Sequence, residues 1–115
     1  MTTTADPTAA KYARVWRGRT KTERASEYER YWLANGIAPL EAKGALAVQM
    51  LREDRGAETE FVTISWWPTI EAMTGDGGDP HRTHHLDRDP EFLIELPKEV
   101  QILTILATRG TIASG

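Results

Sequence analysis

Between Glu58 and Trp67 the chain alternates with period two, yet both faces carry apolar residues. Val62, Ile64 and Trp66 fall on one side, and Phe61, Thr63, Ser65 and Trp67 on the other. Successive strand side chains point to opposite faces, so such a segment belongs in a sheet that is covered on both sides. The same pattern occupies Gly44 to Glu53, where Leu46, Val48 and Met50 alternate with Ala45, Ala47, Gln49 and Leu51. Asp54-Arg55-Gly56 between the two runs has the composition of a hairpin turn, with Gly56 able to take positive φ. A further strand is predicted from Tyr12 to Gly18, with Gly18 letting the chain leave it. The last is predicted from Val100 to Ala107, where Val100, Ile102, Thr104 and Leu106 oppose Gln101, Leu103 and Ile105.

The segments between these strands read differently. Thr20 or Thr22 is placed to cap a helix, and Glu23 lies in its first turn, where the helix dipole favours an anion. Ala25, Tyr28 and Trp32 step at helical spacing, so Tyr28 and Trp32 share one face. That aromatic seam is either core packed on the sheet or the roof of a cavity. Asn35-Gly36 predicts a left-handed stop, and Pro39 is expected to bar continuation. After Trp67, Pro68 turns the chain into a short helical run at Thr69–Met73, and a Gly-rich loop leads to the histidines. A second apolar run, Phe92 to Leu96, is expected to begin as a helix.

The order strand, helix, strand, strand, helix, strand is the split βαββαβ pattern of an α+β, ferredoxin-like sandwich with an antiparallel sheet. One helix layer covers one face of that sheet. The other face needs a second cover, and another copy of the same sheet supplies it, so a homodimer is expected. Leu51, Leu103 and Ile105 are the candidates for that face. Residues 1–11 read as a loose arm, 12–107 as the domain and 108–115 as a tail.

Composition narrows the function. With no cysteine among 115 residues there is no disulfide framework, thiolate metal site or cysteine nucleophile, which fits a cytoplasmic protein. A net charge of -3 without a basic block argues against nucleic acid as partner. No apolar stretch approaches membrane-spanning length, so no membrane partner is expected.

Several stretches together resemble antibiotic biosynthesis monooxygenase-like proteins of the dimeric α+β barrel superfamily. They are Ala13-Arg14-Val15-Trp16-Arg17-Gly18, the strand ending at Trp67 before a short helix, and Asp89-Pro90-Glu91-Phe92-Leu93-Ile94-Glu95-Leu96 before a last strand. The resemblance spans Tyr12 to Leu106. It implies a dimer of ferredoxin-like protomers, each with a pocket between sheet and helices. Members oxidise polycyclic phenols without metal or flavin, degrade haem, act as cyclases or isomerases, or have no known activity. The tryptophan that is often functional in the family matches Trp67. The asparagine that accompanies it in oxygenating members has no counterpart on the first strand or helix, since Asn35 sits at the helix end.

All three histidines lie in Pro80-His81-Arg82-Thr83-His84-His85. Asp79-Pro80 has the form of an N-cap followed by proline at the first helical position, so His81 and His84 are expected to share a helical face. Three readings stay open: a polar surface loop, general acid–base chemistry, and metal or haem-iron ligation. The spacing matches no standard metal site. The expected site therefore pairs a base, His84 or His85, with Arg14 as the cation for an anionic intermediate. Trp16, Tyr28, Trp32 and Trp67 form its aromatic walls. Such a site suits a monooxygenase-like enzyme acting on a hydrophobic aromatic or polyketide-like substrate by proton abstraction, without metal or organic cofactor. The alternatives are a cyclase or isomerase, or a non-catalytic ligand- or haem-binding stress-response dimer.

Overall fold

The computed structural model describes residues 9–75 and 77–110, so most of the expected N-terminal arm and C-terminal tail lies outside the described residues. At its inner end Ala10 is buried and the Lys11 N–H bonds the Trp67 carbonyl at 2.8 Å.

Strands β1 (Tyr12–Lys21), β2 (Ala47–Arg55), β3 (Glu58–Trp67) and β4 (Gln101–Thr104) form one antiparallel sheet in the order β2-β3-β1-β4. That α+β arrangement is ferredoxin-like. The register places Trp16 opposite Thr63 and Thr63 opposite Met50, which sets one face. Along it run Arg14, Trp16 and Gly18 of β1 and Thr59, Phe61, Thr63, Ser65 and Trp67 of β3, the last five all buried. The helices cover this face. Ala13 and Val15, Val62, Ile64 and Trp66, Leu51 and Leu103 share the opposite face.

β1 does not end at Gly18. It continues to Lys21, because Gly18 serves a neighbouring side chain rather than a turn. A Cβ at position 18 would come within 2.5 Å of the Trp16 indole, so glycine lets that ring lie flat along the strand. The hairpin closes at Arg55 opposite Glu58, with Gly56 at φ 68°.

Helix α1 (Thr22–Asn35) buries Ala25, Tyr28 and Trp32 against the sheet, as its spacing predicts. Neither Thr20 nor Thr22 caps it. Lys21 holds the cap position, and the Thr22 N–H bonds Ala57 O at 3.0 Å while its hydroxyl donates to Gly56 O at 2.7 Å. The β2–β3 hairpin loop thus satisfies one of the first-turn donors that have no partner within the helix.

α1 does stop at Asn35-Gly36, but not by the expected left-handed turn. Gly36 stays right-handed at φ -90°, and a second helix, α2 (Ile37–Lys43), follows at once. Pro39 is no barrier because it lies in the first turn, where its missing N–H has no helical acceptor to lose. Glycine is needed at 36 for space, since a Cβ there would meet Met50 Cε at 2.8 Å and Trp32 O at 2.9 Å. The left-handed stop falls at Gly44, φ 107°.

The second crossover carries two short helices, α3 (Glu71–Thr74) and α4 (Asp89–Phe92). The helix expected over residues 81–85 does not form. Asp79 Oδ1 accepts the His81 N–H at 2.9 Å, as its cap reading suggests, but the chain then runs extended. Arg82 bridges Glu99, and the Val100 N–H donates to His81 O at 2.8 Å. Backbone groups committed to those bridges cannot also close helical turns. Further on, Leu93 bridges Thr20, and the Ile94 N–H donates to Arg19 O at 2.8 Å, beyond the part of β1 that pairs with β4. β4 ends at Thr104, opposite the first residue of β1, rather than at Ala107, and Leu106 is 94% exposed.

The core is an aromatic cluster. Phe61 meets Tyr28 and Trp32 edge-on at 5.1 and 5.2 Å between centroids, and Trp16 lies 5.8 Å from Trp32. Phe92, Leu93 and Val100 close it from the second crossover. Among the described residues no helix is long and apolar enough to cross a membrane.

Candidate functional site

Between the helix-covered face and the second crossover lies a cleft of about 280 Å³. Arg14, Trp16 and Thr63 come from the sheet, Tyr28 and Trp32 from α1, Leu40 and Lys43 from α2, and Met73 from α3. His84, His85, Leu86 and Asp89 close the remaining side. Strand period and helix period meet here for a simple reason. Arg14 and Trp16 are two apart on β1, Tyr28 and Trp32 four apart on α1, and each spacing keeps both residues on the inward face.

Six of the seven residues singled out from the sequence line this cleft: Arg14, Trp16, Tyr28, Trp32, His84 and His85. Trp67 does not. It is fully buried, and its indole N–H donates to Ser65 Oγ at 2.8 Å, so it belongs to the packed interior. His84 and His85 are exposed at the cleft's edge. His81 lies outside the cleft, with Nδ1 3.5 Å from Asp79 Oδ1.

Arg14 is half-buried, and no hydrogen bond or ion pair engages its guanidinium among the described residues. Burial pushes its pKa down from the ordinary value, but a guanidinium keeps its proton in proteins. The cleft therefore holds a fixed positive charge without a counter-ion among the described residues, and Lys43 at the end of α2 lines the same cleft.

Asp89 answers on the other wall. It is 2% exposed. The Tyr28 hydroxyl donates to Oδ1 at 3.0 Å and the Leu86 N–H to Oδ2 at 2.9 Å. Burial raises the carboxyl's pKa, while the Leu86 N–H, the Tyr28 hydroxyl and the charge of His85 pull it back. The phenol of Tyr28 is itself pushed well above its ordinary range, first by burial and then by the adjoining Asp89 charge. It stays protonated and acts as a donor.

Asp89 before Pro90 has the form of a helix cap. Instead Arg88 holds the cap position, and the Asp89 side chain reaches back to Leu86. Its link to Tyr28 spans 61 residues, and no local pattern announces it. Lys43, Leu40 and Met73 were missed because α2 was not foreseen and α3 is a single turn. Among the described residues no three histidine, aspartate or glutamate side chains converge as a metal site.

The sequence matches no protein-family model and no curated protein. Solved structures do match. One is a Bacillus cereus protein provisionally assigned as an antibiotic biosynthesis monooxygenase, with TM-score 0.61 and 12% identity over 89% of this chain and 99% of that one. Another is MhuD, a haem degrader of Mycobacterium tuberculosis with two haems bound in its active site, with TM-score 0.53 and 18% identity over 86% of this chain and 99% of that one. At such identities the likeness establishes the shared fold, over nearly the whole length of both neighbours.

Proposed function

We propose that the protein is a homodimeric, monooxygenase-like enzyme that binds an acidic aromatic or polyketide-like molecule and works by proton abstraction. One observation carries this reading: the half-buried guanidinium of Arg14, without a partner among the described residues, in a cleft walled by Trp16, Tyr28 and Trp32. Taking a cation out of water costs free energy unless an anion compensates, and here the compensation falls to the ligand. The flat walls suit a ring system, and Arg14 suits a phenolate, enolate or carboxylate on it. Removing a proton from such a ligand leaves an electron-rich anion beside Arg14. That anion can pass electrons to dioxygen, or be reprotonated elsewhere in an isomerisation or cyclisation.

The probe is 3-hydroxy-2-naphthoate, followed by quenching of tryptophan fluorescence, with neutral 2-naphthol as its uncharged counterpart. Arg14→Gln should weaken the naphthoate by about tenfold or more, the worth of a hydrogen bond to a charged group, and leave 2-naphthol unchanged. Equal losses for both probes would remove Arg14 from anion recognition.

The dimer is supported by the sheet face opposite the helices. There Leu51 and Leu103 are each 45% exposed on the face that carries Ile64 and Trp66, and the buried Trp66 Nε1 has no hydrogen-bond partner among the described residues. Light scattering should give twice the chain mass, and Leu103→Glu should halve it. A monomeric native protein overturns this part of the reading.

A second reading, haem binding, draws on the same cleft. His84 and His85 are imidazoles of the kind that ligate haem iron, and Arg14 and Lys43 are cations for its propionates. Bound haem would supply redox chemistry at its iron. A cleft of about 280 Å³ lies at the lower end of small-molecule sites and suits a two- or three-ring ligand better than a macrocycle. A Soret shift on adding haem, lost in the His84→Ala and His85→Ala double variant, would favour the second reading.

A further inference from the structure

The cleft contains a better-positioned base than either histidine. His84 and His85 are exposed to solvent at its edge, whereas Asp89 is buried in its wall and held at both oxygens. An ionised carboxylate has about four lone-pair sites, and the Tyr28 O–H and Leu86 N–H occupy two. Among the described residues each oxygen therefore keeps a free acceptor position. A general base must be fixed within hydrogen-bond reach of the proton it takes, and two orienting donors provide that fixity. Arg14, which lines the same cleft, supplies the charge that a newly formed anion needs.

We propose that Asp89, oriented by Tyr28, is the catalytic residue that accepts the proton from a ligand bound in the cleft. This rests on the reading of the cleft as a site for an acidic aromatic molecule. In the step, a C–H or O–H bond of the ligand breaks and its electron pair stays on the ligand as an enolate or phenolate beside Arg14. The proton passes to a free lone pair of the Asp89 carboxylate, while Tyr28 keeps its own proton. The reverse transfer, to the same or another ligand atom, restores Asp89, so the step needs no oxidant. The burial that raises the carboxyl's pKa also strengthens it as a base relative to an exposed aspartate. Tyr28 from α1 and His85 from its own crossover act on it electrostatically, Tyr31 acts on Tyr28, and Arg14 from β1, Lys43 from α2 and His84 line the same cleft.

The test uses 2-tetralone, a two-ring ketone with acidic C–H bonds between its ring and its carbonyl. Binding is read by tryptophan quenching, and proton abstraction by deuterium uptake in heavy water followed by NMR. The native protein should accelerate exchange, and Asp89→Asn should lower the protein-catalysed rate by about a hundredfold or more with quenching retained. His81→Ala, outside the cleft, should match the native rate. Tyr28→Phe removes a donor to the charged carboxylate, so the pH of half-maximal exchange should move upward. A purely structural Tyr28 would leave that pH in place. Should Asp89→Asn fail to fold, this shift decides, and its absence overturns the proposal. Native exchange in Asp89→Asn, or binding without any acceleration in the native protein, also overturns it. Loss of exchange in His84→Ala or His85→Ala with Asp89→Asn unaffected would give the role to a histidine. Failure of both 2-tetralone and 3-hydroxy-2-naphthoate to quench would overturn the reading of the cleft and the role of Asp89 with it.

Discussion

The two crossovers of this sheet perform the same topological task by different physical means. The first, α1 and α2, is regular: helical period puts Ala25, Tyr28 and Trp32 on the sheet, and apolar burial holds them. The second, from Pro68 to Glu99, has two helices of four residues each and, besides the buried Met73, Phe92 and Leu93, is held by individual polar contacts. Arg82 bridges Glu99, Asp89 takes the Tyr28 hydroxyl, and the Arg88 N–H donates to the Tyr31 hydroxyl at 2.9 Å. Arg24 and Arg88 lie over the Phe92 ring at 4.4 and 5.1 Å. Burial is spread over many atoms and tolerates error in any one of them. Polar pinning concentrates the work in a few groups, and it leaves those groups facing a cleft. The contrast assigns the aromatic walls Tyr28 and Trp32 to the first crossover and His84, His85 and Asp89 to the second.

The sharpest attack on this contrast is Trp32→Ala. Trp32 is 5% exposed and packs on Trp16, Tyr28 and Phe61, so its loss should cost about 3–5 kcal/mol in urea unfolding. A loss below 1 kcal/mol would show that the first crossover does not depend on its aromatic seam.

Asp89→Ala strikes the second crossover. It strips a buried hydroxyl and a backbone N–H of their acceptor, at about 1–3 kcal/mol each. Hydrogen exchange should quicken at residues 84–92 and stay unchanged in the first half of α1. Uniform quickening would mean that the two crossovers unfold as one unit.

The same carboxyl sets a pH signature. Its folded pKa is raised, so the folded state binds the proton more tightly than the unfolded chain does. Its contribution to stability is therefore greatest below the ordinary aspartate pKa and is lost as pH rises through the folded value. The Tm of the native protein relative to Asp89→Asn should fall over that window. A difference in Tm that does not vary with pH would place the ionised carboxylate among groups fully compensated by their donors.

The smallest effect is expected at Pro39, exposed in the first turn of α2. Pro39→Ala should change stability by about 0.5 kcal/mol or less, because no helical hydrogen bond is gained there. A larger gain would indicate that proline strains the α1–α2 junction.

Legibility follows the same division. The alternation of β3 and the spacing of Ala25, Tyr28 and Trp32 could be read directly, because each repeats a local geometry several times. Pro39 misled as a helix breaker, since its effect depends on whether it stands in the first turn or the interior. Asp79-Pro80 misled as a helix start, because the bridge between Arg82 and Glu99 captures that backbone first.

The sequence by itself determined the succession of the four strands and of α1, the doubly apolar sheet, and six of the residues that line the cleft. Those features rest on periodicities of two and 3.6, which any short window displays. Only the tertiary structure decided that Trp67 is packed away from the cleft, that Arg14 lacks a counter-ion among the described residues, and that Asp89 meets Tyr28 across 61 residues. Those outcomes depend on which buried polar groups find partners, and the partners come from elements far apart in the chain.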